Sequence, residues 1–139
     1  MTDGPGAPAG ITVGGYSHVA VDVTDLDAAL AFYCGVFGFR EIPRPDFGFP
    51  GAWLVVGDLQ LHLAVTETPP VRGGFPHFAL YVPTEAFAAT VAALRDAGVE
   101  FLGEPASRVD FGTTTVWAAF VRDPSGNVIE LTDVGPGAG

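Results

Sequence analysis

Three histidines and one carboxylate lie in segments whose alternating apolar residues are typical of β-strands. They are His18, His62, His77 and Glu130. Imidazole nitrogens together with a carboxylate oxygen suit a divalent transition metal such as Fe, Mn, Ni, Co or Zn. Four ligands on four rigid strands leave one or two coordination positions open, which is typical of a catalytic site. We therefore predict that these four residues bind one divalent metal ion.

The carboxylate of Glu130 gives the strongest reason to expect such a partner. It interrupts the apolar strand Val128–Thr132, which follows the turn sequence Asp-Pro-Ser-Gly-Asn at residues 123–127. A carboxylate on a largely buried strand is costly unless it is paired, protonated or bound to a metal. Because alternate residues of a strand face opposite sides, Ile129 and Leu131 face one side and Glu130 faces the other.

The three histidines show the same division between two faces of a strand. Aliphatic residues occupy one set of alternate positions, while the histidine and a small alanine occupy the other. The pairs are His18 with Ala20, His62 with Ala64, and His77 with Ala79. A helix must cover the aliphatic side, so the histidines face the open side, where small neighbours leave room for a ligand. A lone strand histidine is more often an ordinary core or surface residue, but the agreement of four positions favours a shared site.

The elements that must hold these residues recur in the same order in both halves of the chain. The strands predicted in the first half are 16–23, 39–42, 52–56 and 59–65, and the helix begins at the cap Thr24 and ends at Gly38. The strands predicted in the second half are 76–82, 99–102, 114–122 and 128–132, with a helix from the cap Thr84 to Ala97. Two such units predict an α+β fold in which the uncovered sheet faces curve into a cleft.

We expect a single domain with short flexible ends. The predicted domain is 15–133, between a leader at 1–14 and a tail at 134–139. Within the domain, unit one is 15–66, a Pro- and Gly-rich linker is 67–75, and unit two is 76–133. The leader lacks a basic region followed by an apolar one, so it does not resemble a signal peptide.

Charge and composition exclude several kinds of partner. The net charge is −10 with six arginines and no lysine, which argues against nucleic acid because nucleic-acid binding requires a basic face. No run of about 18 apolar residues is present, so we expect no membrane span. The single cysteine, Cys34, cannot form an intrachain disulfide, which fits a cytoplasmic location. The expected partner is a small molecule.

Four segments together resemble the vicinal oxygen chelate superfamily, the group of glyoxalase I, bleomycin-resistance proteins and extradiol dioxygenases. They are His-Val-Ala-Val at 18–21, Phe-Tyr-Cys-Gly-Val-Phe-Gly-Phe at 32–39, His-Phe-Ala-Leu at 77–80 and Asp-Pro-Ser-Gly-Asn-Val-Ile-Glu-Leu at 123–131. The resemblance implies paired βαβββ modules that form a curved mixed-sheet cleft around a divalent metal, and it implies a homodimer. By position, His18, His77 and Glu130 match the metal triad of the superfamily. His62 stands where glyoxalase I has a glutamate.

The resemblance also implies a reaction class. The metal binds two neighbouring oxygens of a small substrate, and the enzyme acts as a glyoxalase-like lyase or isomerase, or as a dioxygenase. Glu130 is then the candidate base, and Tyr81, on the same face as His77, is a second candidate acid–base group. The alternative is a metal-independent protein that sequesters a drug, as in the bleomycin-resistance branch, and the acidic surface suits a cationic drug.

Aromatic residues and one arginine are candidates for the walls of the cleft. The aromatic candidates are Trp53, Trp117, Phe47, Phe49 and Phe111, for which ordinary core packing is the alternative. Arg44 is a candidate for binding a substrate carboxylate.

Overall fold

The computed structural model describes residues 9–70, 73–111 and 114–136, without the side chains of 105–111 and 114. The predicted leader, linker and tail therefore lie partly outside the described residues. Within the described ranges, no helix is both long and apolar enough to cross a membrane.

Two units with the same order of elements make up the described chain. Unit one contains β1 (His18–Val23), α1 (Leu26–Leu30) with a π-helical continuation (Ala31–Val36), β2 (Arg40–Ile42), β3 (Gly51–Val56) and β4 (Leu59–Val65). Unit two contains β5 (His77–Tyr81), α2 (Thr84–Asp96), β6 (Glu100–Phe111), β7 (Thr114–Arg122) and β8 (Val128–Thr132). This βαβββ repeat confirms the predicted α+β fold.

Each unit forms one four-stranded mixed sheet. The strand orders are β1-β4-β3-β2 and β5-β8-β7-β6. The first strand of each unit pairs in parallel with the last, and the other neighbours are antiparallel. A parallel pair needs a long crossover, which includes the helix here. The two strands that carry the predicted ligands of a unit are therefore neighbours in its sheet.

The aliphatic sides of these strands form the core. Leu61 and Leu63 of β4, like Ile129 and Leu131 of β8, are almost completely buried. The helix α2 packs its buried residues into the same apolar cluster. Burying a leucine or isoleucine side chain contributes roughly 1.5–3 kcal/mol. The predicted burial of the aliphatic side of these strands is therefore confirmed.

The start of α1 differs from the prediction. Asp25, and not Thr24, is the N-cap, because its carboxylate accepts a hydrogen bond from the Ala28 N–H at 3.0 Å. The N–H of Thr24 instead donates to the hydroxyl oxygen of Ser125 at 2.9 Å. The first turn of this helix is thus capped locally, while the preceding residue joins the two units.

The second unit differs from the prediction at two places. Thr84 is the first residue of α2 and not its cap, and its hydroxyl donates to the Asp133 carboxylate at 2.8 Å. The strand predicted at 99–102 extends to Phe111, with a shift of register against β7 between Leu102 and Ser107. The shift lets the edge strand continue through a Gly- and Pro-containing segment that the sequence indicated as a loop.

A buried hydrogen-bond cluster joins the two units at the turn before β8. The hydroxyl of Tyr33 donates to Asp123 Oδ2 at 2.7 Å, and both residues are buried. The same carboxylate accepts from the Ser125 N–H, the Asn127 N–H and the Asn127 side-chain amide at 2.8–2.9 Å. That amide also donates to the carbonyl oxygen of Asp22 in β1 at 2.8 Å. Burial, and then the charge of Asp123, raises the pKa of Tyr33, so the hydroxyl stays a donor.

A second cluster lies just after β8. The carboxylate of Asp133 accepts from the Trp117 N–H and from the Thr84 hydroxyl, each at 2.8 Å. The bond from the Trp117 N–H is the main cause that lowers the pKa of Asp133; burial opposes the shift, and the Thr84 hydroxyl supports it. This carboxylate therefore ties β7 to the start of α2.

We expect Asp133→Asn to destabilise the protein near neutral pH and to matter less in acid. The depressed carboxyl pKa means that the charged form stabilises the fold above the unfolded pKa of about 3.9, and that this contribution is lost as pH falls through the folded pKa. Urea unfolding of both proteins at about pH 6 and about pH 3 measures this change. Asp58→Asn, in the exposed β3–β4 turn, is the matched control. If Asp133→Asn lowers the free energy of unfolding equally at both pH values, the charged form of Asp133 is not what stabilises the fold.

Candidate metal centre

The four predicted ligands occupy equivalent positions in the two sheets. In unit one, His62 lies two residues beyond the β4 residue that pairs with His18. In unit two, Glu130 lies two residues beyond the β8 residue that pairs with His77. The relation of His18 to His62 is therefore the same as the relation of His77 to Glu130. We call the first pair half-site one and the second pair half-site two.

Half-site two brings an imidazole and a carboxylate into contact. Nε2 of His77 lies 3.2 Å from Oε1 of Glu130. Nδ1 of His77 lies 2.9 Å from the carbonyl oxygen of Phe75, and since a carbonyl only accepts, Nδ1 carries the hydrogen. When the ring is neutral, Nε2 directs a lone pair at the carboxylate oxygen, and the two lone pairs repel each other. This contact is favourable only if the two atoms share a cation or a proton. The donors of half-site two thus fit a metal ion.

Half-site one consists of two stacked imidazoles. The rings of His18 and His62 have centroids 3.9 Å apart and an interplanar angle of 16°. Ser17 Oγ lies 3.0 Å from Nδ1 of His18, and Gln60 Oε1 lies 2.9 Å from Nε2 of His62. Burial, then the neighbouring His18 and Arg44, lowers the pKa of His62, which favours the neutral imidazole that a metal needs. The nearly parallel rings must rotate before their lone pairs converge on one ion.

The two half-sites remain separate in this chain. Among the described residues, no group of three or more His, Cys, Asp and Glu side chains is placed to hold a metal ion. The structure therefore brings the four predicted ligands together as two pairs.

Aromatic rings continue from half-site one into an open cavity of about 600 Å³. His62 stacks on Trp53 with centroids 4.3 Å apart and an interplanar angle of 6°. The ring centroid of Phe47 lies 6.0 Å from that of Trp53 and 6.1 Å from that of Phe49. The guanidinium of Arg44 lies 5.0 Å from the Phe47 centroid and 4.9 Å from the Phe49 centroid. Trp53, Phe49 and Arg44 thus line the same cavity as the two histidines.

Trp117 lies on the other face of its sheet, against the expectation that it lines the cleft. Its ring is 6.0 Å from that of Phe87 in α2, and it packs partly buried against the core. Phe120, which pairs with Glu130, occupies the alternate face of β7. Because Trp117 is three residues before Phe120, it faces the helix.

The two remaining candidates are not placed at a half-site. Tyr81 is on the same face of β5 as His77 but four residues further along, so the backbone positions of the two residues are about 13 Å apart. Its side chain is 51% exposed. The side chain of Phe111 lies outside the described residues.

Three residues that contact the ligands were not predicted. Gln60 bonds to His62, and its alternation with His62 along β4 was a usable signal. Phe120 lies 5.7 Å from His77 between ring centroids, and Phe75 lies 4.9 Å from the same ring. Phe75 precedes its strand, and the position of Phe120 depends on the register of a hairpin, so no local pattern indicates either residue.

Comparison with known proteins agrees with this fold and these motifs. A profile of the Glyoxalase/Bleomycin resistance protein/Dioxygenase superfamily matches residues 15–131. The chain therefore belongs to the glyoxalase/bleomycin resistance protein/dioxygenase superfamily, as its motifs predicted.

Two curated relatives and one solved structure are similar to this chain over most of its length. A probable lactoylglutathione lyase from Synechocystis sp. is 32% identical over 124 residues, which cover 82% of this chain and 91% of that protein. A putative lactoylglutathione lyase from Brassica oleracea var. gemmifera is 30% identical over 87% of this chain, which spans about half (45%) of that protein's length. The crystal structure of the fosfomycin resistance protein FosX from Listeria monocytogenes has a TM-score of 0.72 at 18% identity, covering 87% of this chain and 93% of that one. This last likeness shows the fold alone.

Proposed function

We propose that this protein is a divalent-metal-dependent enzyme acting on a small substrate with two neighbouring oxygens. We further propose that its metal centre forms where half-site one of one chain meets half-site two of a partner chain in a homodimer. The observation that carries both proposals is the equal register of the two ligand pairs. A twofold dimer makes each contact twice, so one such interface would complete two sites.

The donor set supports a catalytic centre. His18, His62, His77 and Glu130 would hold the ion, with room for substrate oxygens in the remaining positions. A bound divalent ion supplies Lewis acidity toward those two oxygens.

The chain's own residues orient the site and handle protons. The carbonyl of Phe75 fixes the tautomer of His77, so that Nε2 faces the site. The Glu130 carboxylate would take up a substrate proton only after leaving the ion, since a ligating carboxylate is a poor base until it is displaced. The names of the relatives favour lyase chemistry, and isomerase and dioxygenase chemistry remain the other reactions of this proposal.

Metal content tests this proposal. We expect about one metal ion per chain in the wild type purified without chelators, and at least about tenfold weaker binding in each ligand variant. The variants are His18→Ala, His62→Ala, His77→Ala and Glu130→Ala. Glu85→Ala is the matched control, because Glu85 is an exposed carboxylate in the first turn of α2, on the helix side of the sheet. A wild type that binds no added Fe, Mn, Ni, Co or Zn would contradict the proposal.

The second candidate function is metal-independent capture of a small molecule. The continuous stack from His18 through His62 to Trp53 favours it, since this surface is complete without an ion. Ligand capture that is unchanged in Glu130→Ala, in a protein that binds no metal, would support this second function.

A further inference from the structure

We propose that the cavity beside half-site one is a subsite for a flat aromatic ring that carries a carboxylate. The substrates or ligands of this protein would then be aromatic carboxylates. The part of this inference that concerns turnover rests on the proposed metal-dependent function, whereas the binding itself does not.

The ring wall is the first reason. Five rings follow one another from the ligand pair to the cavity mouth: His18, His62, Trp53, Phe47 and Phe49. Phe47 and Phe49 are about half exposed (52% and 47%), although both are large apolar side chains. Aromatic faces contribute most when another flat ring covers them in a stacked or tilted arrangement. A planar ring therefore suits this wall better than an extended aliphatic chain.

The fixed position of Arg44 is the second reason. Its Nη1 donates to the carbonyl oxygen of Phe49 at 3.1 Å, while the two phenylalanine rings lie about its guanidinium. Gly51 makes room for this arrangement, because a Cβ there would lie 2.9 Å from Nη2 of Arg44 and closer still to the backbone oxygen of Leu63. The guanidinium is therefore held in place before any ligand arrives.

The charge of Arg44 has no carboxylate partner within the described part of the chain. The arginine–carboxylate pair there is Arg122 with Glu100, and Arg44 takes no part in it. A guanidinium has five N–H donors and binds a carboxylate through two of them in its own plane, which leaves its faces for the rings. Arg44 thus presents an anion-binding fork at the aromatic wall.

The composition of the cavity supports an anionic ligand. Among the residues that the structure describes, its lining contains Arg44 but no aspartate or glutamate, in a chain whose net charge is −10. The glutathione part of a conjugate carries two carboxylates and an ammonium group but no flat ring, so it matches one cation and five rings poorly. With its carboxylate on Arg44 and its ring on Trp53, an aromatic acid would direct its other substituents toward His18 and His62.

The test measures binding to metal-free protein, so it is independent of the metal centre. Titration calorimetry with 2-naphthoate, 2-naphthamide and cyclohexanecarboxylate separates the effects of the charge and of the flat ring. We expect 2-naphthoate to bind about tenfold or more tightly than either of the other two, since a charge-assisted pair and ring stacking each contribute. In a Trp117→Phe background, which leaves Trp53 as the single tryptophan, 2-naphthoate should quench the fluorescence.

Variants of Arg44 locate the carboxylate. Arg44→Met should bring the affinities for 2-naphthoate and 2-naphthamide to within about threefold of each other, while Arg44→Lys should keep part of the preference. Arg95→Met, on the exposed last turn of α2, removes the same charge elsewhere and should keep the full preference. Equal binding of acid and amide by the wild type, an undiminished preference in Arg44→Met, or no binding of 2-naphthoate would each overturn this inference. None of these outcomes would bear on the metal content that tests the proposed function.

Discussion

Asp123→Ala is expected to lower the free energy of unfolding by about 3–5 kcal/mol. The Asp123 carboxylate accepts four hydrogen bonds, including the one from the buried Tyr33 hydroxyl. Alanine would leave these donors without their acceptor, and an unsatisfied buried donor costs about 1–3 kcal/mol. The contributions overlap, because the turn can relax and admit water, so the total is smaller than their sum.

Chemical denaturation of Asp123→Ala, Tyr33→Phe and the double variant measures this effect. Tyr33→Phe removes one hydroxyl and should cost about 1–3 kcal/mol, and the double variant should cost less than the sum. Asp58→Ala, which removes an exposed turn carboxylate, should stay within about 0.5 kcal/mol of the wild type. A loss below about 1 kcal/mol for Asp123→Ala would show that the cluster does not hold the two units together.

Two variants that each lack metal are expected to regain it when their chains are mixed. One variant, His18→Ala/His62→Ala, has lost half-site one, and the other, His77→Ala/Glu130→Ala, has lost half-site two. If the centre forms across a dimer, a heterodimer contains one site with all four ligands and one site with none. Metal content should therefore rise from nearly none to about one ion per heterodimer.

The mixed protein is best obtained by coexpression with two different tags, so that heterodimers are purified by both. The matched control mixes His18→Ala with His62→Ala, because both changes remove the same half-site and no combination restores it. A wild type that binds metal, together with heterodimers that do not, would place the whole site within one chain. That result would reject the shared centre without rejecting the metal.

Alternation along single strands made it predictable which side of its sheet each candidate ligand faces. Leu61 and Leu63 are buried on the helix side of β4, so His62 between them has to face the open side. The same reasoning applies to Glu130 between Ile129 and Leu131. The repeated order of elements then gives the fold, because each parallel first and last strand must be joined through a helix.

Features that depend on how separate segments meet were not predictable from the sequence. The pattern along one strand shows which side a residue faces, but not which edges of the two sheets approach each other. The sequence therefore did not indicate that the four candidate ligands form two separate pairs. Trp117 is an apolar residue in an apolar strand, and its face is shown by the register of β7 against β8 and by its contact with Phe87. Thr24 and Asp25 are both good caps, and the packing of Thr24 against the turn of the other unit decides between them.

The register of the hairpins limits which changes of chain length this protein can accept during evolution. His62 follows β3 through the two-residue turn Gly57–Asp58, and one residue added there without a bulge would move His62 to the helix side and a leucine into the site. Substitutions in that turn leave unchanged the side that His62 faces, whereas an odd insertion changes it unless a bulge or a longer loop absorbs the added residue. In unit two the irregularity between Leu102 and Ser107 lies on β6, at the sheet edge farthest from β5. Length variation among descendants of this chain should therefore collect at that outer edge, while the ligand-bearing hairpins keep their lengths.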